Sequence, residues 1–280
     1  MRMQPDGPGI TFTLDLEPYG LRGIAKPPID DALDALLDAA ARCDAVGTVF
    51  VVGTLAEDRP DLVRRCAEAG HEIALHGYRH TPIDELGEAG FRDDLRRGRA
   101  VLEDLIGRRV SGYRAPLFSL SSLTPWAPGI LGEDDFDYSS SVLPAFSPIR
   151  GLPGAPRRPF RWADGPIELP CPVGGIGSWA VPYLGGVYLR YVSLRLSARL
   201  VTRTAPDEVL WLYCHPYDAD GTLHRLDLPQ AGRGMTAILS ARRGNTAERV
   251  RRVLRMGGGP APPLGDRARA LRDLPVVPAP

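Results

Sequence analysis

No sign of charge dominates this 280-residue chain, in which 34 lysines and arginines are matched by 34 aspartates and glutamates. It therefore lacks the basic field that would draw in nucleic acid or acidic lipid. The arginines that gather near the C-terminus, Arg242, Arg243, Arg249, Arg251 and Arg252, read as a solvated helix face. No segment approaches membrane-spanning length, and the opening stretch Met1 to Gly9 is polar and rich in proline and glycine, without an apolar signal core. Cysteine is scarce: the four residues are scattered, with no Cys-x-x-Cys spacing. Cys43 and Cys66 fall on apolar faces of predicted helices and read as reduced core residues. Together these absences make the cytoplasm the expected compartment. There is no internal repeat. No glycine-rich phosphate loop follows the first apolar run, which argues against a dinucleotide-binding fold.

What is present is an alternation of short apolar runs with helical periodicity. Ile10, Phe12, Leu14 and Leu16 face one way and Thr11, Thr13, Asp15 and Glu17 the other, which predicts a strand. A helix is expected from Asp30, as N-cap, to Cys43, then a strand over Gly47–Val52 and a helix from Pro60 to Gly70. Glu72–Leu75 predicts a strand, Glu88–Ile106 a long helix, and Val110–Tyr113 and Phe136–Ser140 further strands. Between Ala145 and Pro182 the chain reads mostly as loop, with one strand near Ile167–Leu169. Tyr191–Thr204 predicts a helix, Glu208–Cys214 a last strand and Thr246–Met256 a last helix. Strands alternating with helices argue for a largely parallel sheet. The expected fold is α/β, a distorted (β/α) barrel of about seven strands. Residues 1–9 form an N-terminal extension, 10–256 the barrel, and 257–280 a Gly/Pro/Ala-rich tail expected to be mobile.

Five segments place reactive side chains just past an apolar run: Asp15-Leu16-Glu17, His76-Gly77-Tyr78-Arg79-His80, Arg114-Ala115-Pro116, Phe136 to Ser141, and His215-Pro216-Tyr217-Asp218. In a barrel such strand ends meet at one face. His76 and His80 are four apart, which on a helical turn puts both imidazoles on one face, within reach of one ion. They could equally be two polar loop histidines, although a chain with five histidines offers few chance pairings. Asp15 and Glu17 share a strand face. They are either a solvent-facing pair, or a third metal ligand and a general base. Arg114 could pair with one of them and keep it ionised. Alternation puts His215 with Trp211 and Tyr213, and a barrel closing its last strand on its first would bring it beside Asp15. It is a candidate general acid or a structural histidine.

These segments, in this order, resemble the polysaccharide deacetylase family, whose catalytic domain is the NodB homology domain of carbohydrate esterase family 4. The stretches TVFVVGTLAEDRPDLVRRCAEAGHEIALHGYRH, GYRAPLFSL and LYCHPYDAD carry the likeness, over about residues 10 to 256. The likeness is greatest to exopolysaccharide-locus bacterial deacetylases with an Asp-x-Glu first motif. The resemblance implies hydrolysis of an N-acetyl group on a sugar or sugar conjugate, with a divalent metal, zinc first and cobalt or nickel as alternatives. By position it makes His76, His80 and Glu17 the metal ligands, Asp15 the general base, Arg114 the residue orienting that base, and His215 the general acid. Glu17 stands for an aspartate that in most of the family adjoins the base, so whether Glu17 or Asp15 ligates the metal is left open. Metal-activated water would attack the amide carbonyl, a backbone N–H would help hold the oxyanion, and His215 would protonate the leaving amine. Tyr78, Pro116, Phe118 and Tyr217 are the candidate substrate-binding residues.

One departure concerns the fourth segment. Relatives of this subgroup read Tyr-Asp-Ser-Ser where this chain has Tyr138-Ser139-Ser140-Ser141, and Asp137 sits a step further back on the same face. Two other readings therefore stand beside a deacetylase: a hydrolase of small cyclic amides or ureides on the same scaffold, and a carbohydrate-binding homologue with a weakened site.

Overall fold

A computed structural model describes residues 7–18, 29–147, 150–175, 180–221, 237–238 and 240–280. Strand β1 (Ile10–Leu16) runs through the middle of the sheet with every residue buried, because both of its faces are covered. Ile10, Phe12, Leu14 and Leu16 pack into the larger apolar core, which is shared with the helices α1 (Asp30–Ala41), α3 (Pro60–Glu68) and α4 (Ile83–Ile106). Thr11, Thr13 and Asp15 point to the other side.

The strands β2 (Thr48–Val51), β3 (Glu72–Leu75), β4 (Gly112–Tyr113) and β5 (Tyr138–Ser139) follow β1 in order, each parallel to the last. After β5 come the short strands β6 (Phe160–Trp162) and β7 (Ile167–Glu168), then a separate antiparallel pair, β8 (Val173–Gly174) with β9 (Val181–Pro182). The chain returns to the sheet at β10 (Leu210–Cys214), which pairs with β1. The order β10-β1-β2-β3-β4-β5-β7 is thus seven parallel strands, with β6 antiparallel on the outer side of β7. This is the expected distorted barrel. Its ladder is open between β7 and β10 among the described residues, and a parallel bridge from Gly185 to Tyr213 reaches into the opening. Gly185 is required there, since a Cβ would lie 1.9 Å from the Tyr213 ring. A second apolar cluster, including Phe50, Tyr138, Leu169, Cys171, Trp211 and Tyr213, is built from side chains on the inner face.

Several elements differ from expectation. The long helix α4 starts five residues early, at Ile83, with a kink at Gly87 (φ 65°) that the periodicity does not reveal. Asp30 is the first helical residue of α1 rather than its cap, and its carboxylate binds Arg59 and Arg65 instead. The helix read over Tyr191–Thr204 is two, α6 (Gly186–Tyr191) and α7 (Leu194–Val201), with the Ser193 hydroxyl capping the second.

Residues 257–280, expected as a mobile tail, instead return to the barrel. Strand β11 (Pro260–Ala261) pairs with the first two residues of β1, and β12 (Val276–Val277) pairs with β6. Between them the helix Leu264–Ala270 buries Leu264 and Ala268. Its partners are Thr48 and Glu72, the first residues of β2 and β3, and the carbonyl oxygens of Gly9 and Leu210, at the starts of β1 and β10. The helix therefore closes the amino ends of the strands. Short range composition disfavoured order here, and tertiary contacts supplied it.

Candidate active site

The opposite, carboxyl ends of the same strands carry the polar groups singled out in the sequence. Asp15 comes from β1, and Glu17 lies just past its end. His76 follows β3 and Arg114 follows β4. Ser140 and Ser141 follow β5, and His215 follows β10. In a parallel barrel all these ends face one way.

Arg114 is the buried centre of the arrangement, with 1% of its surface exposed. Its guanidinium carbon lies 3.9 Å from the Phe50 ring centroid and 4.3 Å from that of Trp211. Its edge donates to Asp15 Oδ1 at 2.5 Å, to Thr13 Oγ1 at 3.0 Å and to Ser140 Oγ at 3.1 Å. Buried charge is tolerable when it is paired and its donors are used, and here both conditions are met. Asp15 keeps its other oxygen, Oδ2, 3.8 Å from His215 Nε2. The β1–β10 register, with Thr13 opposite Tyr213 and Leu14 opposite Cys214, brings these two residues from opposite ends of the chain together.

Glu17, His76 and His80 form a second group, with one ligating atom of each lying within 4.8 Å of the others. Glu17 Oε2 is 2.5 Å from His80 Nε2 and 3.5 Å from His76 Nε2. Burial alone would raise the Glu17 carboxyl, but the imidazoles of His80 and His215 and the hydrogen bonds from His76 and His80 hold it well below its ordinary value. Burial likewise opposes a charged His80, and Glu17 overrides it to raise that imidazole. His76 Nδ1 lies 2.9 Å from the Arg114 carbonyl oxygen. A proton on Nδ1 satisfies that contact and leaves the Nε2 lone pair for a ligand. Two imidazoles and one carboxylate converging in this way suit a divalent ion of the zinc type and leave coordination positions for water and substrate. The two histidines do not meet on a helical turn as the spacing suggested. Residues 77–80 are irregular, and Gly77 (φ 74°) and His80 (φ 56°) are both left-handed.

His215 has partners of its own. Its Nδ1 lies 2.7 Å from Asp218 Oδ2, an oxygen that also accepts the His215 backbone N–H at 3.0 Å. Asp218 Oδ1 is 3.2 Å from Arg190 Nη2, with both side chains buried. Burial lowers the imidazole pKa, but Asp218, by hydrogen bond and by charge, outweighs it and the result is about 9. The Tyr217 ring stacks on His215 at 4.5 Å and 10°. Asp218 was read in the sequence only as a neighbour of the histidine. The His-x-x-Asp spacing into a short helix, α8 (Pro216–Ala219), is the signal that identifies its role, because it forms a capping box on His215.

These observations accord with what is known of other chains. Residues 4–127 match the family model for polysaccharide deacetylase, and residues 140–256 match that of a domain of unknown function, DUF3473. Over residues 4–127 the chain resembles the polysaccharide deacetylase family. It is 35% identical to a chitooligosaccharide deacetylase of Sinorhizobium fredii over 82 residues, 29% of this chain and 38% of that one. It is 30% identical to a peptidoglycan-N-acetylglucosamine deacetylase of Bacillus cereus over 81 residues, 29% of this chain and 30% of that one. The chain thus spans less than two fifths of the length of these relatives. In fold it is similar to a candidate polysaccharide deacetylase crystallised from Mycobacterium smegmatis, with a TM-score of 0.64, 21% identity, and 100% and 98% of the two chains covered. It is also similar to a Bacillus anthracis protein described as a pseudoenzyme of carbohydrate esterase family 4, with a TM-score of 0.50, 12% identity, and 95% and 66% covered. Shape alone therefore does not decide activity in this deacetylase fold, and the side chains must be considered.

Beyond the region matched to the deacetylase model, Ser139 faces Glu168 across the β5–β7 ladder. Glu168 is wholly buried and accepts the backbone N–H groups of Ser141 at 2.7 Å and Val142 at 2.9 Å. A carboxylate at position 139 would stand against it, whereas the serine does not. Glu168 went unnoticed in the sequence because nothing local distinguishes it from a surface residue of a short strand. Asp137 does not substitute for the missing carboxylate, since it is turned outward to Arg109. Of the proposed substrate-binding residues, Phe118 and Tyr217 adjoin the cluster through Tyr213 and His215. Pro116 is buried against Gly77. Tyr78 does not join them: its ring lies against Gly53 and its hydroxyl donates to Glu57, at the exposed side.

Proposed function

We propose that this domain hydrolyses the N-acetyl group of an N-acetylated sugar, releasing acetate and a free amine. The observation that carries the reading is the position of Asp15, held by Arg114 on one oxygen and open to His215 on the other, beside a Glu17–His76–His80 set suited to a divalent metal. A bound zinc-type ion would polarise the amide carbonyl and make water acidic enough to lose a proton near neutral pH. Asp15 Oδ2 takes that proton while Arg114 fixes the carboxylate's orientation. His215, charged at neutral pH, gives the proton on Nε2 to the departing nitrogen while Asp218 keeps Nδ1 in place. His215 has its acidic partner in Asp218, so the serine at 139 is compatible with this reading. The relatives named for chitooligosaccharide and peptidoglycan support an N-acetylhexosamine substrate.

The test is acetate release from chitooligosaccharides with added Zn²⁺ or Co²⁺, comparing wild type with Asp15→Asn and His76→Ala. Loss of at least a hundredfold in each variant is expected, about the scale of a general-base contribution. Equal rates in all three proteins overturn the assignment.

A further inference from the structure

The two histidines of the candidate metal set are joined by three residues with no helical hydrogen bonds, and one of the two, His80, has a left-handed backbone. Such a conformation in a residue with a Cβ persists only where its surroundings impose it. The source is visible in the bonds of the linker. The carbonyl oxygens of Gly77 and Tyr78 accept from the backbone N–H groups of Gly53 (3.0 Å) and Thr54 (2.9 Å), which open helix α2 (Gly53–Asp58). On the other side the N–H groups of Tyr78 and Arg79 donate to the two oxygens of Asp94, at 2.6 Å and 3.2 Å. Asp94 projects from α4, is 3% exposed, and makes no ion pair within 4.0 Å among the described residues. Gly77 lets the carboxylate come close, for a Cβ there would lie 3.0 Å from Asp94 Oδ2.

We infer that Asp94 is a positioning residue for the metal set, fixing the backbone of residues 77–79 so that His80 meets His76 and Glu17. This rests on the metal-dependent reading above. A buried carboxylate whose hydrogen bonds go to backbone amides is costly unless those amides need it. Asp93, one residue earlier on α4, is the contrast, being partly exposed and paired with Arg97.

Zn²⁺ affinity is measured by competition with a chromogenic chelator on metal-free protein, together with the visible spectrum of the Co²⁺ form. Asp94→Ala is expected to weaken Zn²⁺ binding about 10–100-fold, as loss of an outer partner of a ligand does, and to alter the Co²⁺ bands. Asp94→Asn, which keeps an acceptor for the Tyr78 N–H, falls between that variant and wild type. Asp93→Ala matches wild type. If Asp94→Ala does not fold, Asp94→Asn decides by the same two readouts. Wild-type affinity and an unchanged Co²⁺ spectrum in the folded Asp94 variants overturn this inference alone. A wild-type chain that takes up neither ion overturns the metal reading and this inference with it.

Discussion

At the scale of single residues, the domain sets two buried acid–base pairs a few ångströms apart and gives each its own counter-ion. Asp15 is matched to Arg114, and His215 to Asp218 with Arg190 behind it. For His215 the folded value of about 9 lies above the ordinary 6.5, so the interaction favours the fold fully below pH 6.5 and is lost as pH rises through about 9. Following the His215 ring protons by NMR in metal-free protein should give a midpoint near that value. In Asp218→Asn the midpoint should fall by at least a unit, because the carboxylate that favours the charged imidazole is gone. An unmoved midpoint would remove Asp218 from its assigned role. Much of this was legible beforehand. Alternation in β1 turned Asp15 inward, and closure of a barrel carried His215 round to it. Asp94, Glu168 and the Arg190–Asp218 contact were not legible, because each is defined by a partner distant in the chain or by a backbone amide that carries no side-chain signature.

At the scale of elements, the seam between β7 and β10 depends on small residues. Gly185 and Gly186 lie against the Tyr213 ring, and Tyr213 in turn meets His215 edge-on at 6.0 Å. Gly185→Ala should therefore cost about 1–3 kcal/mol, the range for forcing volume into a packed interior. Thermal melting should record this as a drop of several degrees. A wild-type Tm would mean that the ring moves aside freely. The seam was hard to see in the sequence for a related reason. Strands of two or three residues such as β6, β8 and β9 are too short to show a period, so only their pairing defines them.

At the scale of the whole molecule, catalysis-capable groups occupy one end of the barrel and the helix Leu264–Ala270 occupies the other. Leu264→Ala should cost about 2–5 kcal/mol in urea unfolding, as truncation of a buried leucine does, while leaving metal uptake unchanged. Unaltered stability would restore the mobile-tail expectation. No helix among the described residues is long and apolar enough to cross a membrane. The contacts of β1 bear on how such a chain assembles. The first strand has β10 beside Ile10 to Leu14 on one side, and on the other β2 beside Thr13 to Leu16, with β11 beside its first two residues. Ile10 is thus matched with Leu210 and with Pro260, and ring closures of that span carry a large entropic cost before any contact repays it. Assembly should be slow for a domain of this size, and a nascent chain must keep its first strand incompletely paired until about two hundred further residues have been made.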